Sequence, residues 1–306
     1  MPIHKLVLSG GGLKGLSFIG SLHHLDEYDL LINLTEITGS SMGALIGTLY
    51  YIGYKPAEIL KIFIDLDVDD LKEIDFSTFL DDYGLLKSTK FEKWLKGLIH
   101  ARLGYGDITF KQVYDRLDNG VKLTLTGSNL SKNRVDNFNV DTHPDMSIYT
   151  AVRISISIPF LISSVKYQGD VYIDGAVLEP FPFHYHDSNT LGFIIKSNTP
   201  DIVNSLGSYL HSLYYCYKNQ ISKLANNIDF NNLNGNTTLY FENRKAAIVH
   251  YVGDVPMMKF DITPEFIKDL FKIGYECSDE YVNNTLALNN IDHPYSLEST
   301  HRRNSV

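Results

Sequence analysis

Over the first fifty residues, short apolar runs that stop at glycine alternate with stretches of helical spacing. Leu6-Val7-Leu8 is apolar throughout and ends in Ser9-Gly10-Gly11-Gly12, the pattern of a buried strand entering a tight loop. Leu16, Ile19, Leu22 and Leu25 then recur at three-residue steps and predict a helix. Residues 34–38 predict a second strand ending at Gly39, and 42–51 a helix of small and apolar residues. Two strand–loop–helix units in succession imply a parallel sheet, because only a crossover helix brings the chain back to start the next strand in the same direction.

Further along, the pattern is looser. Residues 55–100 read as helical, with Ser88 as an N-cap ahead of Phe91 and Trp94. They include an acidic stretch at 65–70 that suits a solvated face, with a lid over a site as the other reading. A third strand is predicted at 121–126, followed by a polar segment, 128–139. The run 154–161 is interrupted by Pro159, and 171–173 predicts a strand that ends at Asp174-Gly175. A further strand is expected at 191–195, a helix over 205–228 and an asparagine-rich loop over 226–236. A last helix begins near Pro264, with Phe266, Leu270, Ile273 and Cys277 on one side. No repeat or linker divides the chain, so one domain over 1–306 is expected. Its C-terminal part, about 200–288, reads as helical, and the polar tail 289–306 as frayed.

Composition narrows the partners. With 44% hydrophobic and 21% charged residues, the 306-residue chain can build a large core. A net charge of −9 argues against nucleic-acid binding, which needs a basic face, and against long-range attraction to anionic lipid. Peripheral membrane contact then has to be apolar or to use a local basic patch, and 20 Tyr and 16 Phe are available for it. Cys216 and Cys277 make no disulfide framework. No run approaches the roughly 18 apolar residues of a spanning helix. The first residues enter the strand and glycine loop at once, so signal-peptide cleavage would destroy that unit. An intracellular, cytoplasmic protein with transient membrane association is expected.

Three glycine-marked segments carry the candidate chemistry. Gly39-Ser40-Ser41-Met42-Gly43 is a G-x-S-x-G between a strand and a helix, where a sharp turn lifts the Ser41 hydroxyl to the helix N-terminus. Gly10-Gly11-Gly12-Leu13-Lys14-Gly15 also joins a strand to a helix, and backbone N–H groups in such a loop converge on an oxyanion. The same loop satisfies the dinucleotide fingerprint, with Glu36 at the distance of a ribose-binding acid. Two features weigh against that alternative: Glu36 falls inside the second strand, and that strand ends in a nucleophile turn. Leu16-Ser17 excludes a Walker A loop, which needs Lys-Ser/Thr there. In the third segment, Tyr172-Ile173-Asp174-Gly175-Ala176, a tight turn presents a carboxylate at a strand end. Ligands of parallel sheets bind at the carboxyl edge of the strands, where Ser41 is also expected.

The order G-G-G-x-K-G, G-x-S-x-G and D-G-A, together with Ala151-Val152-Arg153-Ile154-Ser155-Ile156-Ser157-Ile158-Pro159-Phe160, resembles the patatin-like phospholipase family from about Lys5 to about Glu179. The resemblance implies a three-layer α/β/α sandwich with a mostly parallel central sheet. It implies Ser41 as nucleophile, Asp174 as the base of a dyad, and an oxyanion loop of Gly10, Gly11, Gly12, Leu13, Lys14 and Gly15. Gly39 and Gly43 flank the nucleophile elbow. Ser9 stands where the family often has Asp. The implied activity is hydrolysis of fatty-acyl esters of phospholipid or another acyl lipid, with no metal and no cofactor. A Ser-Asp-His triad is the alternative within hydrolases, with His184, His186 or His250 as third member by chain order. Only one strand–helix unit precedes the elbow, which disfavours it. Outside enzymology the alternative is a lipid- or nucleotide-binding module, which needs no Asp174.

Overall fold

The computed structural model describes residues 2–71, 73, 83–198, 203, 206–233, 235–253 and 262–289. The tail expected to fray lies outside them. Among the described residues a nine-stranded sheet forms the centre. Its parallel core is β11 (Lys245–Tyr251), β9 (Thr190–Lys196), β1 (Lys5–Leu8), β2 (Glu36–Gly39) and β4 (Lys122–Asn129), in that spatial order. Antiparallel strands finish both ends: β10 (Thr237–Phe241) beside β11, and β5 (Arg134–Phe138), β8 (Asp170–Asp174) and β7 (Val165–Tyr167) around β4. A small separate sheet pairs β3 (Gly84–Leu86) with β6 (Phe160–Ile162).

The central strands read as unbroken apolar runs because both faces are covered. Leu6 and Leu8 of β1, Leu191, Phe193 and Ile195 of β9, and Ile248 of β11 face the larger core. That core packs α1 (Ser17–Glu27), α2 (Met42–Tyr51), α3 (Pro56–Ile64) and α9 (Pro264–Asn289) against the sheet. Val7, Ile194, Ala247 and Val249 alternate with them and face a smaller cluster built around Phe181, Phe183 and Phe230. The other helices among the described residues are α4 (Val68–Leu71), α5 (Thr89–Leu103), α6 (Phe110–Leu117), α7 (Ile148–Ser155) and α8 (Leu206–Asn226).

Four expectations need correction. The part expected to be helical, 200–288, contains the β10–β11 hairpin, and β11 joins the parallel sheet beside β9. Its Ala246-Ala247-Ile248-Val249 run is buried on both faces, a pattern that periodicity alone does not separate from a helix. The segment 55–100 contains a strand, β3, as well as helices; residues 72 and 74–82 lie outside those described. The polar segment 128–139 is the end of β4 and the strand β5. Ser128 and Asn129 are buried there because their side chains satisfy other polar groups in the sheet. Finally, β8 runs antiparallel to β4, so Asp174 does not sit at the carboxyl end of a parallel strand.

The register explains how Asp174 still reaches the correct edge. Leu125 of β4 pairs with Gly39 on one side and Phe138 on the other. Two residues on, Gly127 pairs with Asp174 and with Asp136. Since β5 holds one flank from Leu125 to Asn129, β2 and β8 share the other, meeting end to end. One strand runs up to the elbow, the other down to the carboxylate.

Candidate active site

Ser41 is the N-cap of α2, with φ 52° and ψ −124°, a left-handed conformation that L-residues adopt only when the surroundings enforce it. The enforcement is visible at Gly43, where a Cβ would stand 2.3 Å from the Leu8 carbonyl oxygen. Only glycine lets α2 start that close to β1. Further bonds hold the turn: the Ser41 N–H donates to Ser155 Oγ at 3.0 Å, and the Ser40 hydroxyl donates to the Glu179 carbonyl at 2.9 Å.

The Ser41 hydroxyl donates to Asp174 Oδ2 at 2.7 Å, and both side chains are buried. The other carboxylate oxygen accepts the Ala176 N–H at 2.8 Å, which fixes the carboxylate plane. The Asp174 N–H donates to the Ser157 carbonyl at 2.9 Å. Burial pushes the Asp174 carboxyl up to about 7, and the hydrogen bonds from Ser41 and Ala176 offset only part of that rise. Thus a serine and a carboxylate 133 residues apart share a proton-transfer distance. The segment after α7 supports both: Ser155 holds the elbow, and Ser157 holds the aspartate. Buried Arg153 bonds Ser157 Oγ and the Ser163 carbonyl, locking that segment. In the sequence these residues carry only the family resemblance. Their common signal is polar residues spaced along an otherwise apolar helix end.

The expected oxyanion loop is adjacent, but its members differ. Gly10 lies against Ser41 and Ala176, yet its N–H is committed to the Pro180 carbonyl at 2.9 Å. Gly12 and Leu13 line the cavities at Ser41, and Gly12 has φ 55°. Among the described residues the Gly11, Gly12 and Met42 N–H groups have no acceptor, while the Gly43 and Ala44 N–H groups close the first turn of α2. Lys14 is buried, and its ammonium bonds Ser197 Oγ at 2.8 Å and the Tyr215 hydroxyl at 3.1 Å. Gly15 packs against Met42, where a Cβ would stand 2.7 Å from its Cγ.

Among the described residues no histidine bonds either dyad member. The His250 ring lies between Ser17 Oγ and Ser21 Oγ, and burial drives its pKa down to about 3. His186 bonds Thr38 Oγ1 at 3.1 Å, with burial lowering it to about 4, and His184 stands 3.6 Å from Glu179. Glu36, the acid a dinucleotide site would need, is the first residue of β2, at the far end of that strand from Ser41, and accepts from Thr124.

Two apolar cavities, of about 250 and 220 Å³, share Gly12, Ser41 and Ile158. Phe160, Val177, Leu213, Tyr214 and Tyr217 line the first, and Leu13, Met42, Leu45, Leu71, Phe91 and Leu161 the second. The acidic stretch presents its charges to solvent, as a solvated face does, while Val68 and Leu71 of α4 line the second cavity. No helix among the described residues is long and apolar enough to cross a membrane.

Comparison with known proteins gives the family and the fold. The chain is 28% identical over 280 residues to uncharacterized protein R571 of Acanthamoeba polyphaga mimivirus, covering 89% of this chain and 91% of that one. It is 33% identical over 222 residues to probable lipid hydrolase 463L of Invertebrate iridescent virus 6, covering 70% and 74%. Among solved structures, VipD from Legionella pneumophila shares the fold, with a TM-score of 0.62 at 18% identity, over 93% of this chain and 67% of that one. A family model for patatin-like phospholipase matches residues 6–186. With more than half its length matched and all three glycine-marked motifs inside the match, this chain belongs to the patatin-like phospholipase family of lipid hydrolases.

Proposed function

We propose that this protein hydrolyses fatty-acyl esters of phospholipids through a Ser41–Asp174 dyad, in the manner of a phospholipase A. The observation that carries the reading is the 2.7 Å bond from a strained, buried serine to a carboxyl raised to about 7. A carboxylate of ordinary pKa is a weak base for a hydroxyl; one near neutrality accepts the proton more readily and still ionises at working pH. Ser41 Oγ bonds to the acyl carbon as its proton passes to Asp174. The tetrahedral intermediate expels the alcohol, which takes that proton, and leaves an acyl-serine. Water then attacks the acyl-serine, Asp174 takes its proton, and the fatty acid departs as Ser41 regains it. The Gly11, Gly12 and Met42 N–H groups stabilise the oxyanion, a contribution of about 3–4 kcal/mol for a well-placed donor.

The apolar cavities beside Ser41 suit hydrocarbon chains, whose transfer out of water stabilises the complex. Phe160 and Leu213 line the first cavity and are each about half exposed, at 51% and 49%, so its mouth offers apolar contact to a lipid surface. With a net charge of −9, that contact does not rely on attraction to anionic headgroups. A relative named a probable lipid hydrolase supports the substrate class. The test is product analysis on defined phospholipid vesicles, with fluorophosphonate labelling. Wild type releases free fatty acid and is labelled at Ser41; Ser41→Ala and Asp174→Asn release less than about a thousandth as much. An unlabelled, folded wild type that releases no fatty acid would point to a binding module instead.

A further inference from the structure

Three tyrosines of α8 approach the back of the catalytic loops, and two of them have their hydroxyls committed. The Tyr215 hydroxyl accepts from Lys14 at 3.1 Å, and Tyr217 donates to the Ala176 carbonyl at 3.3 Å. The Tyr214 hydroxyl is buried and has no hydrogen-bond partner among the described residues. A buried, unpaired hydroxyl costs folding free energy and calls for a reason. Its ring borders the first cavity beside Ser41 and Asp174 and is held edge-on by Tyr215 and Tyr217. A Cβ built on Gly10 would stand 3.3 Å from the Tyr214 hydroxyl and 3.3 Å from Ser41 Cβ, so those two atoms lie within twice that distance of each other. Both residues line the cavity that would hold a reacting ester carbonyl. Both oxygens of Asp174 already have donors, so the phenol is not needed there. The loop is also one donor short, because Gly10 gives its N–H to Pro180.

Resting on the hydrolase reading, we propose that Tyr214 donates a hydrogen bond to the carbonyl oxygen of the bound ester as negative charge develops on it. It completes the oxyanion cradle that the glycine amides begin. Burial, with the neighbouring tyrosines and Asp174, raises the phenol well above its ordinary pKa, so it keeps its proton through the working range. Among the described residues no acceptor holds this hydroxyl away from the substrate carbonyl.

The experiment compares wild type, Tyr214→Phe and Ser41→Ala on 4-nitrophenyl hexanoate, with thermal unfolding alongside. Tyr214→Phe should lower kcat about ten- to hundredfold with KM within about twofold. Its unfolding midpoint should stay level or rise, since the deleted oxygen has no partner; a merely structural role would lower both together. An alkyl trifluoromethyl ketone supplies the second measurement. Ser41 Oγ adds to its carbonyl carbon, the serine proton passes to Asp174, and the resulting hemiketal carries the same oxyanion. Its inhibition constant should weaken by the factor by which kcat falls. Ser41-dependent turnover at the wild-type rate in Tyr214→Phe overturns this proposal alone, as does a slowed variant whose ketone affinity is unchanged. Turnover that survives Ser41→Ala overturns the hydrolase reading, and this proposal with it.

Discussion

Asp174 and Asp136 face each other across Gly127 of β4, yet their carboxyls are driven in opposite directions. Both pay a burial penalty. At Asp136 it is outweighed by hydrogen bonds from Asn129 at 2.8 Å, the Tyr172 hydroxyl at 2.9 Å and Arg134 at 2.7 Å, so the carboxyl lies below its usual range. At Asp174 only one hydroxyl and one backbone N–H assist, and the carboxyl rises to about 7. A structural carboxylate is given donors and a cation until it stays ionised; a base is left short of them.

Replacing each aspartate by asparagine breaks the comparison most sharply, because the expected effects on stability differ in sign. Asp136→Asn removes a charge that three donors were arranged around and should destabilise by about 1.5–3 kcal/mol, with little change in KM. Asp174→Asn should abolish turnover while stabilising the fold at pH 8 by on the order of 2–4 kcal/mol, because it never carries the buried charge. Paired urea titrations at pH 8 measure both. A destabilised Asp174→Asn would mean that the carboxylate is structural after all.

Titration sharpens the same contrast. The folded Asp174 keeps its proton until about pH 7, whereas the unfolded chain releases it near 3.8. Between those values the folded state binds the extra proton, so this group's contribution to stability is fully present below about pH 4 and lost as the pH climbs to 7. Activity runs the other way. The base form is needed, so kcat should rise about tenfold per pH unit below 7 and level off above it. Asp136 contributes with the opposite slope: its stabilisation is present above the unfolded value and lost as pH falls through its depressed folded one. A flat kcat profile from pH 5 to 8 would remove Asp174 as the base.

A smaller effect is expected at the support. In Ser155→Ala the buried Ser41 N–H loses its acceptor, at a cost of about 1–3 kcal/mol in stability. The elbow should loosen, lowering kcat about tenfold while KM stays within about twofold, since the cavities are untouched. A change in KM alone would show that Ser155 shapes the pocket rather than the turn.

These supports mark the boundary of what the sequence made legible. The elbow was readable because it is local: β2, the turn and α2 are consecutive, and Gly39 and Gly43 are demanded by close backbone approach. Asp174 was readable as a turn at a strand end, but the direction of β8 was not, because register is a property of pairing partners and not of a single run. The end of β4 read only as a polar segment because Ser128 and Asn129 are buried to satisfy neighbours distant in the chain, the Asp174 carbonyl and the Asp136 and Asp170 carboxylates. The β10–β11 hairpin was hidden for the converse reason, since a strand covered on both faces loses its alternation. Tyr214 gave no signal of its own. Its helix was expected, but which hydroxyl lacks a partner is decided only by packing.

The smallest effect tests whether the dyad needs a third member. A triad requires an imidazole that takes the proton from the serine hydroxyl, and the Ser41 hydroxyl donates its hydrogen bond to Asp174 instead. His184 is the histidine most open to substitution without structural damage. It is exposed and lies against Glu179, whereas His250 fills a buried site between two serines and His186 is bonded to Thr38. His184→Ala should therefore leave kcat and KM within about twofold of wild type on the same phospholipid vesicles. A folded His184→Ala that loses turnover would require a histidine to reach Ser41 during reaction, and the lone aspartate would then be an orienting residue rather than the base.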